Sequence, residues 1–281
     1  MSSYRHTLAR VEDRLRRAGA ESPEFDAKWI LEAATGRDHG ELLLAPEISS
    51  HEERACDDLT ARRAGGEPLQ YVTEVAGFRR LEISVGPGVF IPRPETELVA
   101  EQAMHRLPHG GRVVDAGTGS GAIALAIADE RPDAVVFATE ASPRAFSWAE
   151  MNRDHLRKEV NLVMCDLLTG LPQALLGSLD VVVSNPPYID RSEWSTMARE
   201  VIEHEPHDAL FADERGLGVI LELARSAQRW LKPLGWLVLE IGDGQADEVR
   251  TRLAASGYEC VSIGRDLNGK DRIAEGRKER R

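Results

Sequence analysis

From Arg112 onward, short runs rich in valine and leucine alternate with helical patterns, and this alternation constrains the fold more than any other feature. RVVDAG, AVVFATEAS, NLVMCDLL, LDVVVSNPP and GWLVLEIG are apolar over most of their length, so each reads as a buried strand. AIALAIADE, PRAFSWAEMNRDH and GLGVILELARSAQRWL, between them, carry their apolar residues at helical spacing. A parallel sheet with helices on both faces buries both sets. The expected class is therefore α/β with a mostly parallel sheet. The final EGRKERR reads as a solvated, charged terminus.

Residues 1–75 have a different texture, helical and poor in strands. TLARVEDRLRRAG places Leu8, Val11 and Leu15 at helical spacing and stops at Gly19. Ser22 reads as an N-cap with Pro23 in the first turn of FDAKWILEAATG, which Gly36 closes. HGELLL and SSHEERACDDLTARRAGG give two more helical pieces, the second ending at Gly65-Gly66. In VTEVAGFRRLEISVGPGVF, Gly77 lies between two β-prone runs, so residues 76–90 read as a β-hairpin linker running into a loop at Gly86-Pro87-Gly88. Two prolines in IPRPETELVAEQAMHRL frame an extended loop. A helix then begins at Glu95 or Thr96, with Leu98, Val99, Ala103 and Met104 inward. The expected organisation is a small helical bundle over 1–75, the linker over 76–90 and the α/β domain over 91–281.

Charge and length narrow the function classes. The 281 residues carry 35 Lys+Arg against 47 Asp+Glu, a net charge of −12, with 5% aromatic residues. A nucleic-acid surface usually shows as a basic stripe, with aromatic platforms where bases stack. The first 75 residues are themselves acidic, fifteen Asp/Glu against ten Lys/Arg, so no direct nucleic-acid partner is expected. No apolar run approaches the roughly 20 residues of a membrane helix, and the first residues lack an apolar signal core. Cys56, Cys165 and Cys260 are isolated, which argues against a disulfide framework or a zinc knot. A cytoplasmic protein is expected.

Three signals carry chemistry. In VVDAGTGSG, a strand ends at Asp115 and Gly117, Gly119 and Gly121 form a turn into a helix, where backbone can pass beneath a ligand. Glu140 ends the next strand, roughly 20 residues further on, where a carboxylate accepts from both hydroxyls of a ribose. Asp166 and Leu167 end the following strand, the first able to bond an adenine amino group and the second to cover the ring. The third signal is Asn185-Pro186-Pro187-Tyr188 after LDVVVS. Two prolines hold the backbone rigid and remove two donors. The Asn185 amide oxygen and the Pro186 carbonyl then form convergent acceptors, and Tyr188 forms a flat wall. Such a site fits an –NH2 group on a planar carrier, whose growing positive charge the two acceptors stabilise during methyl transfer.

Together these segments resemble the class I S-adenosylmethionine-dependent methyltransferases that act on planar amino nitrogens. More narrowly, PLQYVTEVAGFRRLEISVGPGVFIPRPETELV (68–99) resembles the run into the catalytic domain of the release factor glutamine methyltransferases, the HemK/PrmC family. FIPRPETE is its most specific element, and SPEFDAKWIL, HEPHDALFADERGL (204–217) and GRDLNGKDR (264–272) also match, so the resemblance spans nearly the whole chain. It implies a Rossmann-like class I fold and S-adenosylmethionine as cofactor, released as S-adenosylhomocysteine. The implied substrate is the glutamine of the Gly-Gly-Gln motif in bacterial class 1 release factors. By the resemblance, Gly117, Thr118, Gly119, Ser120, Gly121, Glu140, Asp166, Leu167 and Asn185 line the cofactor pocket. Asn185, Pro186, Pro187 and Tyr188 hold the substrate, with Asn185, Pro186 and Tyr188 catalytic. Ala116, Glu140 and Leu167 depart mildly from the family pattern. The helical domain is expected to dock on the release factor, and the chain to act as a monomer.

Other constellations point elsewhere less well. His204 and His207 straddle a proline with no third ligand nearby, so no metal is expected. Arg93 caps an active-site lid or pairs with Glu95; the residues leave both open. Trp148, Trp194, Trp230 and Trp236 are dispersed and read as anchors. Two rivals stand: an adenine-N6 methyltransferase of DNA or RNA with the same NPPY grip, and a non-catalytic S-adenosylmethionine-binding module.

Overall fold

Helix starts and stops near the N-terminus follow from capping chemistry. In the computed structural model, which describes residues 2–280, strand β1 (Ser2–Ser3) precedes helix α1 (Tyr4–Ala18), where Ser3 accepts from the His6 N–H. Helices α2 (Pro23–Thr35) and α3 (His39–Leu44) follow, then β2 (Glu47–Ile48), α4 (Ser50–Ala64) and α5 (Leu69–Thr73). Gly19 and Gly36 end their helices in the left-handed conformation. Ser49 and Glu52 form a reciprocal capping box at α4, and Asp38 and Glu41 another at α3. Ser22 occupies the N-cap position of α2, but its side chain makes no cap hydrogen bond; Pro23 alone supplies the start signal. Tyr4, Val11, Leu15, Ile30, Leu31 and Ile48 pack the core.

The chain divides into two units. Residues up to Val75 form the first together with Ala198–His204, a segment from far along the chain. That segment contains a short helix, Arg199–His204, and Arg63 ties it in. The mostly buried Arg63 guanidinium donates from Nε to Asp26 Oδ2 and from Nη1 to Glu200 Oε2, both at 2.7 Å.

The second unit begins at Ala76, within the hairpin of β3 (Val75–Phe78) and β4 (Leu81–Ser84). Its turn falls at Arg79-Arg80, with Arg79 at φ 53°, and not at Gly77, which lies inside β3. Arg79 is held there because its N–H donates to Glu97 Oε1 at 2.9 Å and its guanidinium pairs with Glu130. Helix α6 (Thr96–Arg106) buries Thr96, Val99, Ala100 and Ala103, whereas Leu98 and Met104, expected inward, are half-buried. Strand β5 (Arg112–Ala116), helix α7 (Ala122–Glu130), β6 (Val135–Glu140), α8 (Pro143–Leu156), β7 (Val160–Met164) and β8 (Leu179–Ser184) follow. Then come β9 (Ile189–Asp190), α9 (the Arg199–His204 helix of the first unit), β10 (Phe211–Ala212) and α10 (Asp213–Gly216). Helix α11 (Gly218–Trp230), β11 (Leu231–Glu240), α12 (Ala246–Ala255), β12 (Tyr258–Arg265) and β13 (Asp271–Lys278) complete it.

Seven strands form one sheet in the order β12-β13-β11-β8-β5-β6-β7. The five central and right-hand strands run parallel, as their valine-rich runs imply, while β13 is antiparallel to both β11 and β12. The expectation of a solvated tail is therefore overturned for Glu275–Lys278, which lie in β13 between two other strands. Charge density hid this strand. Glu275 is buried, and Arg106 from α6 meets it with two hydrogen bonds at 2.6 and 2.9 Å. Among the described residues no helix is long and apolar enough to cross a membrane.

Candidate active site

The order of the strands locates the site before any side chain is considered. The chain runs outward from β5 to β6 and β7, then returns to β8 on the other side of β5. At such a reversal the loops leaving β5 and β8 part in opposite directions and open a crevice at the strands' carboxyl ends. Asp115 pairs with Val183, and Ser184 Oγ donates to the Ala116 carbonyl at 2.6 Å, so Gly117 and Asn185 leave the sheet side by side. A cavity of about 490 Å3 lies there, within the roughly 300–1,000 Å3 typical of ligand pockets.

Backbone geometry shapes one wall. Gly117, Gly119 and Gly121 have φ of 71°, 58° and 89°, values that cost side-chain-bearing residues energy. The buried Asp115 braces this turn: its Oδ2 accepts from Thr118 Oγ1 at 2.6 Å and from the Ala124 N–H at 3.1 Å. Burial pushes the Asp115 carboxyl up to about 7, against those two hydrogen bonds. Buried Asn152 on α8 adds a second brace, donating Nδ2 to the Ser120 and Ser84 carbonyls at 2.9 Å each. Glu140 closes the wall, with Oε2 accepting from the Gly119 N–H at 2.9 Å and Oε1 from the Ser142 N–H at 2.8 Å. Each of its oxygens keeps a further lone pair for a ligand hydroxyl.

Asn185-Pro186-Pro187-Tyr188 forms the opposite wall. Among the described residues nothing donates to Asn185 Oδ1 or to the Pro186 carbonyl, whereas Asn185 Nδ2 donates to Thr96 Oγ1 at 3.2 Å. The Tyr188 hydroxyl donates to Glu240 Oε1 at 3.1 Å. Burial raises the Tyr188 phenol further above its ordinary range, and the neighbouring Glu240 carboxylate adds to the effect.

The segment after β8 explains the HEPHDALFADERGL motif. Buried Glu205 pairs with Arg93 and accepts from the Ile91 N–H at 3.2 Å, fixing the loop that brings Phe90 and Pro92 to the cavity. Arg93 thus pairs with Glu205 and not with Glu95. Phe211-Ala212 runs parallel to Ile189-Asp190, and Gly216 presses on the Tyr188 backbone. A Cβ on Gly216, at φ 82°, would lie 2.0 Å from the Tyr188 carbonyl oxygen. Gly216→Ala is therefore expected to cost about 2 kcal/mol or more and to lower kcat more than cofactor affinity. Thermal denaturation with parallel kinetics checks this; an unchanged midpoint would refute the close approach. His204 falls in α9, and the His207 ring stands edge-on to Trp194 at 4.8 Å.

The structure thus brings Gly117, Thr118, Gly119, Ser120, Glu140, Asn185, Pro186, Pro187 and Tyr188 onto one cavity. Gly121 stands one step behind the wall as the N-cap of α7. Asp166 and Leu167 lie outside it, Asp166 exposed and Leu167 partly packed on the core, just past a backbone bond from the Cys165 N–H to the Glu140 carbonyl. Sequence reasoning missed Thr96, Glu205 and Glu240. An acidic residue ending an otherwise apolar strand, as in WLVLEIG, was the available signal for Glu240.

Comparison with known proteins fits this geometry. Residues 6–73 match the PrmC N-terminal domain and residues 83–216 the methyltransferase small domain. A release factor glutamine methyltransferase of Streptomyces coelicolor is 42% identical over 276 residues, 96% of each chain. The chain belongs to the release factor glutamine methyltransferases. The Escherichia coli member is 37% identical over 278 residues, 98% of each chain. Among solved structures, a methyltransferase from Pyrococcus furiosus superposes with a TM-score of 0.55 at 21% identity, covering 71% of this chain and 89% of that one. A 16S rRNA methyltransferase of T. thermophilus, solved with AdoMet and guanosine, gives 0.55 at 19%, covering 73% of this chain and 50% of that one. These likenesses show the fold of this glutamine methyltransferase, that of class I methyltransferases.

Proposed function

We propose that this methyltransferase transfers a methyl group from S-adenosylmethionine to the side-chain amide nitrogen of the Gly-Gly-Gln glutamine in bacterial class 1 release factors. The observation that carries the reading is the pair of unpartnered acceptors, Asn185 Oδ1 and the Pro186 carbonyl, beside a glycine-walled crevice.

The residues fit the cofactor. A Cβ at Gly117 or Gly119 would meet no neighbour within 4 Å, so this backbone fronts open space. We assign Gly117–Gly121 to the cofactor's amino-acid end, the spare lone pairs of Glu140 to its ribose, and Asp166 with Leu167 to its adenine edge. Asn185 borders the same pocket. When bound, S-adenosylmethionine supplies an electrophilic methyl group on a sulfonium centre. Asn185 and Pro186 accept the two amide hydrogens of the glutamine and draw its nitrogen out of conjugation. Pro187 and Tyr188 pack on the planar group and hold the nitrogen in line. The proton lost from the methylated nitrogen passes to solvent, so no strong base is needed. The acidic helical unit is assigned to a basic face of the release factor, where charge complementarity speeds encounter.

The test is methyl transfer from labelled S-adenosylmethionine to a folded release factor, beside its Gln→Ala variant and DNA and RNA in single- and double-stranded form. Labelling that disappears in the Gln→Ala variant is expected. Labelling of nucleic acid alone would replace this reading with an adenine methyltransferase.

A further inference from the structure

A threonine hydroxyl has one proton to give. Thr96 Oγ1 lies 2.6 Å from Glu240 Oε2 and 3.2 Å from Asn185 Nδ2. With its proton on Glu240, Thr96 can only accept from Asn185, and only the nitrogen end of that amide can donate. On the other side the Arg272 guanidinium, which has donors and no acceptor, donates Nη1 to the Tyr188 hydroxyl at 3.4 Å, and Tyr188 donates to Glu240 Oε1 at 3.1 Å. Hydrogen bonds from both directions end on the Glu240 carboxylate. Asn185 Oδ1 is therefore left facing the cavity.

Protonation of Glu240 reverses one branch. A proton held on Oε2 donates to Thr96 Oγ1, the Thr96 hydroxyl turns its own proton towards Asn185, and Asn185 accepts only by turning its carbonyl inward. Its –NH2 would then confront the substrate amide, donor against donor. We propose that Glu240, acting through Thr96, is the positioning residue that keeps the Asn185 carbonyl aimed at the substrate nitrogen. The proposal rests on the glutamine reading above.

The groups facing Glu240 are Thr96 and Glu95 at the start of α6, Tyr188 after β8, and Arg272 on β13, with Asp266 beside Arg272 at 3.5 Å and Arg93 acting on Tyr188. Burial raises the Glu240 carboxyl above the usual range, and the Thr96 bond, Arg272 and the Tyr188 bond oppose it. Activity that needs the ionised form is thus lost on acidification at a higher pH than an ordinary glutamate would give.

The experiment compares full-length wild type, Glu240→Gln, Thr96→Val and Thr96→Ser in methyl transfer to a release factor across pH. Glu240→Gln, neutral and isosteric, is expected to lower kcat about 100-fold, as for loss of one transition-state hydrogen-bond partner, and to abolish the acidic limb. The KM for S-adenosylmethionine should stay within a few-fold. Thr96→Val should show the same loss, and Thr96→Ser should recover most of it. A readout independent of turnover is the side-chain 15N–1H resonance of Asn185 in the cofactor-free protein, assigned by its absence in Asn185→Asp. It should titrate with the acidic limb in wild type and stay fixed in Glu240→Gln. Near-wild-type kcat in Glu240→Gln, or an Asn185 resonance that does not titrate in wild type, would overturn the proposal. Failure of wild type to label glutamine while that resonance titrates would remove the substrate reading and leave the positioning role standing.

Discussion

Asn185→Ala is expected to lower kcat about 100- to 1,000-fold, the range for removing one transition-state hydrogen-bond partner, while S-adenosylmethionine affinity stays within a few-fold. The asymmetry follows from position. Among the described residues nothing donates to Asn185 Oδ1, and its Nδ2 donates to Thr96 Oγ1 at 3.2 Å, so alanine removes an acceptor and leaves the Gly119–Glu140 bond of the glycine loop in place. Ser184 keeps its bond to the Ala116 carbonyl, so the backbone leaving β8 has no cause to move. Single-turnover kinetics with cofactor binding by calorimetry separates the two quantities. Turnover within a few-fold of wild type would refute the role given to Asn185.

Glu275→Ala is expected to destabilise the protein by about 3 kcal/mol, the low end for breaking a buried ion pair. Glu275 takes four hydrogen bonds, two from Arg106 and one each from Gln102 and Ser262, between 2.6 and 2.9 Å. Without it, Arg106 retains its stacking on Trp236, at 3.8 Å, and reaches water with about a third of its side chain. That escape keeps the cost below the full penalty of a stranded buried charge. Burial alone would push the Glu275 carboxyl up, but the bonds from Arg106, Gln102 and Ser262 outweigh it and hold it below its ordinary range. A depressed carboxyl stabilises the fold at neutral pH and loses that contribution as pH falls below the ordinary glutamate range, near about 4.3. The difference between wild type and variant should therefore shrink in acid. Denaturant unfolding at two pH values measures it, and a neutral-pH loss under about 1 kcal/mol, the scale of an exposed pair, would mean that β13 does not depend on this glutamate.

Both residues show how unevenly the sequence speaks. Asn185 was legible because an apolar strand followed by two prolines leaves few alternatives: the strand must be buried, and the prolines forbid it to continue. The glycine loop was legible for the same reason, since glycines at alternate positions between a strand and a helix report positive φ directly. Glu275 was not legible. EGRKERR has the charge density of a free end, and only the approach of Arg106, Gln102 and Ser262 makes burial of its glutamate tolerable. The hairpin turn was misread at Gly77 because a glycine is the usual turn signal, whereas the Arg79 bonds to Glu97 and Glu130 pay for a left-handed arginine instead.

By itself, the sequence determined the alternation of strands and helices, the crevice beneath the glycine loop and the acceptors after LDVVVS, because local spacing and backbone restriction dictate each of them. Tertiary structure decided what aims those acceptors. Thr96, Asn185, Tyr188, Glu240 and Arg272 are scattered along the chain and meet only when β8, β11 and β13 align beside the start of α6. A hydrogen bond has a direction, and that direction is set by which partner holds the proton; no spacing along a chain encodes it.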